Sequence, residues 1–210
     1  MPQYAPPKKK SGTSVFLILA IIGFVVFLGM ATLIGGGICI YLVMSKARSD
    51  SDTLKTLRGT GCPCSIEVPS NWTDLPPGDR NPDATIQQAN LFGERYVMVI
   101  SDRKSDVAGI FNVQEATGPE ILKQFTDLTL GGVEQSFVVQ RISNRQLSVN
   151  GLPAIQHKFK AAVEGIDVVF WTTYVEGKNH FYQVQAWTLA SMEAQNEKGL
   201  LKIADSFKEN

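Results

Sequence analysis

The chain has 210 residues, 44% of them hydrophobic, with twenty basic groups balancing twenty acidic ones. Three of the twenty basic groups are Lys8, Lys9 and Lys10, so the rest of the chain carries seventeen against twenty acids, a net of −3. A mildly acidic body lacks the cationic footprint that contact with a phosphate backbone requires, which excludes nucleic acid as a partner.

Residues 1–14 are rich in Pro, Lys, Ser and Gly and cannot bury enough apolar surface to fold alone; they read as a disordered cytoplasmic tail. Residues 15–44, from Val15 to Met44, are thirty consecutive positions without a charge. At ~1.5 Å per residue such a helix is ~45 Å long, more than the ~30 Å hydrocarbon core of a bilayer, and the segment reads as a single transmembrane helix with membrane lipid as its surroundings. A cleaved signal peptide carries an apolar stretch of only ~7–15 residues before a small-x-small site. A lipoprotein would need a small residue before Cys39, where Ile38 stands. Ala31 and Gly35, like Thr32 and Gly36, have the small-x-x-x-small spacing that permits close helix approach, so the anchor carries a candidate self-association face. The compact lysine triplet before the anchor outweighs the scattered Lys46, Arg48, Lys55 and Arg58 after it. That favours a cytoplasmic amino terminus and an extracytoplasmic C-terminal domain.

Residues 45–61 are polar and read as a stalk; residues 62–210 are enough for one domain with a sizeable core. Within that domain a strand is expected at Cys64–Val68, stopped by Pro69. A Pro-rich loop from Leu75 to Asp83 precedes a hairpin formed by Thr85–Phe92 and Arg95–Ser101. Thr117-Gly118-Pro119-Glu120 announces a helix with Ile121, Leu122, Phe125 and Leu128 as its apolar stripe and Gly131-Gly132 as its end. Strands follow at Phe137–Val149, Ala154–Val163, Ile166–Glu176 and His180–Thr188, joined by Asn150-Gly151, Glu164-Gly165 and Gly177-Lys178. Connections that short force an antiparallel meander. The strand from Ala154 puts Gln156, Lys158 and Lys160 on a wet face, whereas the strand containing Val168–Val175 is apolar on both sides and belongs in the centre. A last helix is expected from Ser191 to Lys208, burying Leu200, Ile203, Ala204 and Phe207. The fold class is therefore α+β, a mostly antiparallel sheet with helices packed on it.

Five segments carry a resemblance: Ile66-Glu67-Val68-Pro69-Ser70-Asn71-Trp72, the Tyr96–Ile100 strand, Asn150-Gly151-Leu152-Pro153-Ala154, Phe181-Tyr182-Gln183-Val184, and Ile203-Ala204-Asp205-Ser206-Phe207. Together, over roughly Cys64 to Phe207, they resemble the PsbP-like fold, an α/β/α sandwich that also includes a eukaryotic Ran-binding import protein and the bacterial DcrB-type envelope proteins. The shared segments are structural and transfer no catalytic residue. What the resemblance implies is a non-enzymatic module that works by binding proteins, here as a membrane-anchored member.

The candidate chemistry is sparse. His157 lies on an apolar strand face and reads as structural, and His180 sits in a turn; two histidines do not make a multi-histidine metal centre, and no Gly-x-Ser-x-Gly elbow occurs. No cofactor is expected. Cys62-Pro63-Cys64 is the one reactive constellation, open to reading as a disulfide, as two free thiols or as a bridge between copies. Trp72, Trp171 and Trp187 read as packing residues, and the Leu75–Asp83 loop as a connector or a binding loop. The expected function is a membrane-tethered, non-catalytic binding or scaffold module of the cell envelope acting on an unknown protein partner. A thiol-active or hydrolytic envelope enzyme and a small-ligand carrier are the alternatives.

Overall fold

The computed structural model describes residues 50–107, 109, 119–163 and 165–210. The tail, the apolar run 15–44 with Ala31 and Gly35, and the Thr117-Gly118 helix start lie outside the described residues. Among the described residues no helix is long and apolar enough to cross a membrane.

The strands are β1 (Leu54–Arg58), β2 (Cys64–Pro69), β3 (Ala84–Asn90), β4 (Arg95–Arg103), β5 (Val139–Val149), β6 (Leu152–Val163), β7 (Ile166–Glu176), β8 (His180–Leu189) and β9 (Lys208–Glu209). The helices are α1 (Lys104–Val107), α2 (Pro119–Ser136) and α3 (Glu193–Asp205). They form a six-stranded sheet of order β3-β4-β8-β7-β6-β5 and a three-stranded sheet of order β1-β2-β9, every pairing antiparallel. The meander expected from Phe137 onward is present, and β7, apolar on both faces, lies inside the large sheet with eight successive buried residues. The Asn150-Gly151 hairpin works because both residues adopt positive φ, 49° and 86°.

One face of the large sheet carries α3 and the small sheet over Val97, Val99, Trp171, Val184 and Ala186; Leu200, Ile203, Ala204 and Phe207 close that core as their shared helical face implies. The other face carries α2, over one cluster around Phe159, Phe170 and Trp187 and a second around Tyr174 and Phe181. All three tryptophans are buried.

Several expectations are corrected. Leu54–Arg58, assigned to the stalk, is strand β1 paired along its whole length with β2, so the folded body begins well before Cys62. Its alternating exposed and half-buried residues give a one-sided edge strand too weakly apolar to read as a strand alone. The first hairpin strand stops at Asn90 rather than Phe92, because Leu91–Gly93 makes a 3-10 turn capped by the Asn90 carboxamide, which accepts from Gly93 N. Gly131-Gly132 does not end α2, which runs on to Ser136. Gly132 and Val133 are both buried there, so packing on the sheet outweighs the local cost of two helical glycines. The buried stripe of α2 is Leu122, Phe125, Thr126, Thr129, Leu130 and Val133, while Leu128 is exposed. Ser191 does not cap α3, which starts at Glu193 after a 3-10 turn at Ala190–Met192. That helix ends at Asp205, and Lys208–Glu209 pairs with Cys64 and Ser65 as a strand. The face of β6 expected to be wet is covered, with Gln156 buried and Lys158 roofed by α3.

Candidate functional site

The point where the chain enters its folded body is built from residues far apart in sequence. Pro69-Ser70-Asn71 turns the chain so that Trp72 N donates to Pro69 O (3.0 Å) and the Trp72 ring is buried. Its Nε1 then donates to Asp50 Oδ1 (2.6 Å), and the Arg95 guanidinium at the start of β4 donates to Asp50 Oδ2 (2.5 Å). Ser51 N donates to Asn71 Oδ1 (3.0 Å), and the Thr53 and Ser70 hydroxyls meet at 2.6 Å. The backbone path is thus fixed from Asp50 onward. Beside this node, between β1–β2 and α3, opens a cavity of about 270 Å³ whose lining includes Leu54, Pro69 and Ile203 with Asp52, Glu67 and Lys202. A mixed apolar and charged groove of that size can take a few side chains of a protein partner.

Cys62 and Cys64 lie at the opposite end of the β1–β2 ladder, Cys62 in the turn that joins the two strands and Cys64 as the first residue of β2. Their sulfur atoms are in contact and their Cα atoms are 5.5 Å apart. Cys64 is a core residue, Cys62 is half-buried, and Gly59 lies against both, since a Cβ at that position would collide with each sulfur. The turn is tied to the carboxyl terminus, because Asn210 N donates to Pro63 O (2.7 Å) and Ser65 Oγ to Asn210 Oδ1 (3.1 Å). The Cys64 sulfur is 3.9 Å from the Thr85 hydroxyl. The pair is followed by strand β2 rather than by a helix.

On the α2 side, the strand registers line residues up in two cross-sheet rows. One is aromatic: Tyr96, Trp187, Phe170 and Phe159 stack in succession with centroids 5.3, 6.2 and 5.1 Å apart. The next is largely polar, running Gln87, Met98, Gln185, Thr172, His157 and Asn144. Helix α2 spans both apolar clusters, and its Thr126 and Thr129 fall between them, each hydroxyl donating to its own helix at Leu122 O and Phe125 O (2.8 Å). His157 is buried in this row with its ring edge-on to Tyr174 at 6.1 Å. Burial, helped by the Arg141 guanidinium, holds its imidazole below the ordinary value, so it is neutral at pH 7. Burial also pushes the Asp102 carboxyl up, although Gln183 Nε2 donates to it at 3.3 Å.

On the α3 side, Lys158 Nζ meets Glu193 (2.8 Å) and Glu197 (2.9 Å) and lies 5.2 Å from the Trp171 ring centre; Lys160 Nζ holds Glu193 (2.8 Å). Trp171 Nε1 donates to Glu197 at 3.1 Å. Hydrogen bonds from the two lysines hold the Glu193 carboxyl below its ordinary value. The cluster clamps the amino-terminal half of α3 to β6 and β7. Among the described residues no group of three or more His, Cys, Asp or Glu could hold a metal ion.

Of the residues singled out in the sequence, the structure brings Cys62 and Cys64 together, places His157 and His180 on different elements, and leaves Ala31 and Gly35 undescribed. The Asp50–Trp72–Arg95 node and the polar cross-sheet row have no sequence signal, since each is assembled by register and long-range contact. The nearest hint is an acid at the end of a polar linker.

No family model matches the chain, and no curated protein matches it. Solved structures do. The solution structure of the cyanobacterial PsbP, CyanoP, from Synechocystis sp. PCC 6803 aligns over 87% of this chain and 100% of its own, with a TM-score of 0.53 and 14% identity. The Ran-binding protein Mog1p of Saccharomyces cerevisiae aligns over 77% of this chain and 96% of its own, with a TM-score of 0.49 and 11% identity. LpqN of Mycobacterium tuberculosis, involved in cell envelope biogenesis, aligns over 76% and 80%, with a TM-score of 0.44 and 12% identity. At these identities the likeness concerns the fold, and the CyanoP match carries it: two antiparallel sheets with a few helices in a PsbP-like arrangement.

Proposed function

We propose that this protein is a membrane-tethered, non-catalytic binding module of the cell envelope. Its PsbP-like body is displayed on the extracytoplasmic side by the apolar helix of residues 15–44 and engages a protein partner. The observation that carries the reading is the entry node: the chain leaving the apolar run is locked into the body at Asp50, immediately beside the groove between β1–β2 and α3. A binding surface held at the root of the tether presents itself to membrane-associated partners at high effective concentration. The Cys62–Cys64 contact is read as a disulfide that ties the β1–β2 turn, in keeping with an oxidising compartment.

The test is in-membrane crosslinking of the full chain, comparing wild type with Glu67→Gln, which removes a half-exposed charge paired with Lys208 at 3.5 Å, and Lys202→Glu at an exposed groove residue. The reading expects a specific crosslinked species that both substitutions reduce while thermal unfolding is unchanged. A crosslinking pattern indifferent to the groove removes it. A thiol-dependent activity abolished by Cys62→Ser with folding preserved favours the thiol-active alternative instead.

A further inference from the structure

The two ends of the six-stranded sheet differ in chemistry. Among the described residues, the far-end connections include Asn150-Gly151, Gly177-Lys178-Asn179 and the β4–α1 junction at Arg103-Lys104, all polar. At the near end they are the Leu91–Gly93 turn, the α2–β5 connection through Phe137 and Val138, the β6–β7 turn at Gly165, and Leu189–Met192. Phe92 is 59% exposed and Val138 86% exposed, and both lie at this near end, as does Leu54 at 47% on the entering strand. Among the described residues, none of these far-end turns carries an exposed large hydrophobic residue. Arg95, which grips Asp50, is the first residue of β4 and therefore belongs to the near end as well. Among the described residues, the end of the sheet with exposed Phe92 and Val138 is the end that holds Asp50.

We infer that this near end lies against the bilayer, with Phe92 and Val138 seated in the headgroup layer. The inference rests on the proposed anchor at residues 15–44. Only five residues, 45–49, separate Met44 from Asp50, a reach of about 20 Å over the six steps at full extension. The body has a radius of gyration of about 15 Å and a diameter of about 40 Å, so so short a tether does not let it turn its far end to the membrane. At this end Glu94 and Asp167 stand beside Arg95 and Lys160, so these charges balance and give no net attraction to anionic lipid. Contact is made by apolar side chains at the interface, and the surface it fits is zwitterionic. A body apposed in this way is held in one orientation, and the groove beside Asp50 opens at the level of the membrane.

The full chain in phosphatidylcholine nanodiscs tests this, with p-benzoylphenylalanine placed singly at position 92, 138 or 150 and lipid adducts read by mass spectrometry after illumination. Apposition gives adducts at 92 and 138 at least about fivefold above those at 150. Protein that resists carbonate extraction yet shows equal adducts at all three positions overturns apposition while leaving the anchor standing. Protein released by carbonate overturns the anchor and, with it, this inference.

Discussion

Replacing Asp50 with alanine isolates the node that Asp50 makes with Trp72 and Arg95. The substitution removes the charge-assisted bond from Arg95, worth about 1.5–3 kcal/mol, and leaves the buried Trp72 Nε1 without its acceptor, at about 1–3 kcal/mol. The Asp50 side chain is 25% exposed and that of Arg95 11%, so water recovers part of this and the expected loss is about 2–4 kcal/mol. For a body of this size that lowers the unfolding midpoint by roughly 6–12 °C. Asp50→Asn keeps an acceptor for the indole and loses about half as much. Asp52→Ala, at an exposed neighbour, shifts stability by less than about 0.5 kcal/mol. Thermal unfolding of the full chain in detergent, followed by tryptophan fluorescence and circular dichroism, measures all three. Equal effects at positions 50 and 52, or no effect at 50, would refute the view that the chain is locked from Asp50 onward.

His157 supplies a pH dependence. Its folded-state pKa lies below the ordinary value of 6.5, so the unfolded chain binds the extra proton first; the contribution is complete above about pH 6.5 and is lost as the pH falls below it. Urea midpoints at pH 7.5 and 5.5 should differ more for wild type than for His157→Gln; identical differences would dismiss the burial argument. Phe125→Ala deletes a ring stacked on Phe181 at 4.6 Å and edge-on to Tyr174 at 6.1 Å, and should cost about 3–5 kcal/mol in chemical denaturation. Lys158→Ala leaves Glu193 with Lys160 and Glu197 with the Trp171 indole as their remaining partners, and the loss of about 1–3 kcal/mol should shrink in high salt; a salt-independent loss would assign the effect to packing instead. Protein isolated without reductant should leave Cys62 and Cys64 unlabelled by maleimide, and Gly59→Ala, whose Cβ collides with both sulfurs, should raise labelling; full labelling of the wild type would discard the disulfide.

Strands β4 to β8 are legible because alternation and turn chemistry act within a few residues: Asn150-Gly151 sets a hairpin whatever surrounds it, and the doubly apolar β7 has nowhere to go but the sheet interior. Helix ends were harder. Gly131-Gly132 carries a stop signal that is real locally and is overruled by the burial of Val133, and Leu128 belongs to the stripe by size but not by the direction in which α2 lies. The strand at Leu54–Arg58 is invisible because an edge strand with one half-buried face takes its stability from β2, not from its own composition. The Cys62–Cys64 pair was visible as a motif, while its contact with Gly59 and the carboxyl terminus was not.

The sequence by itself determined the apolar run, the near-neutral charge and the order of the meander, since hydropathy, net charge and turn preference are properties of adjacent residues. Only the tertiary structure decided that Asp50, Trp72 and Arg95 form one node, that a row polar but for Met98 crosses six strands, and that Phe92 and Val138 share an end of the sheet with Asp50. Those relations depend on register and on long-range packing, whose energies couple residues that no local pattern connects.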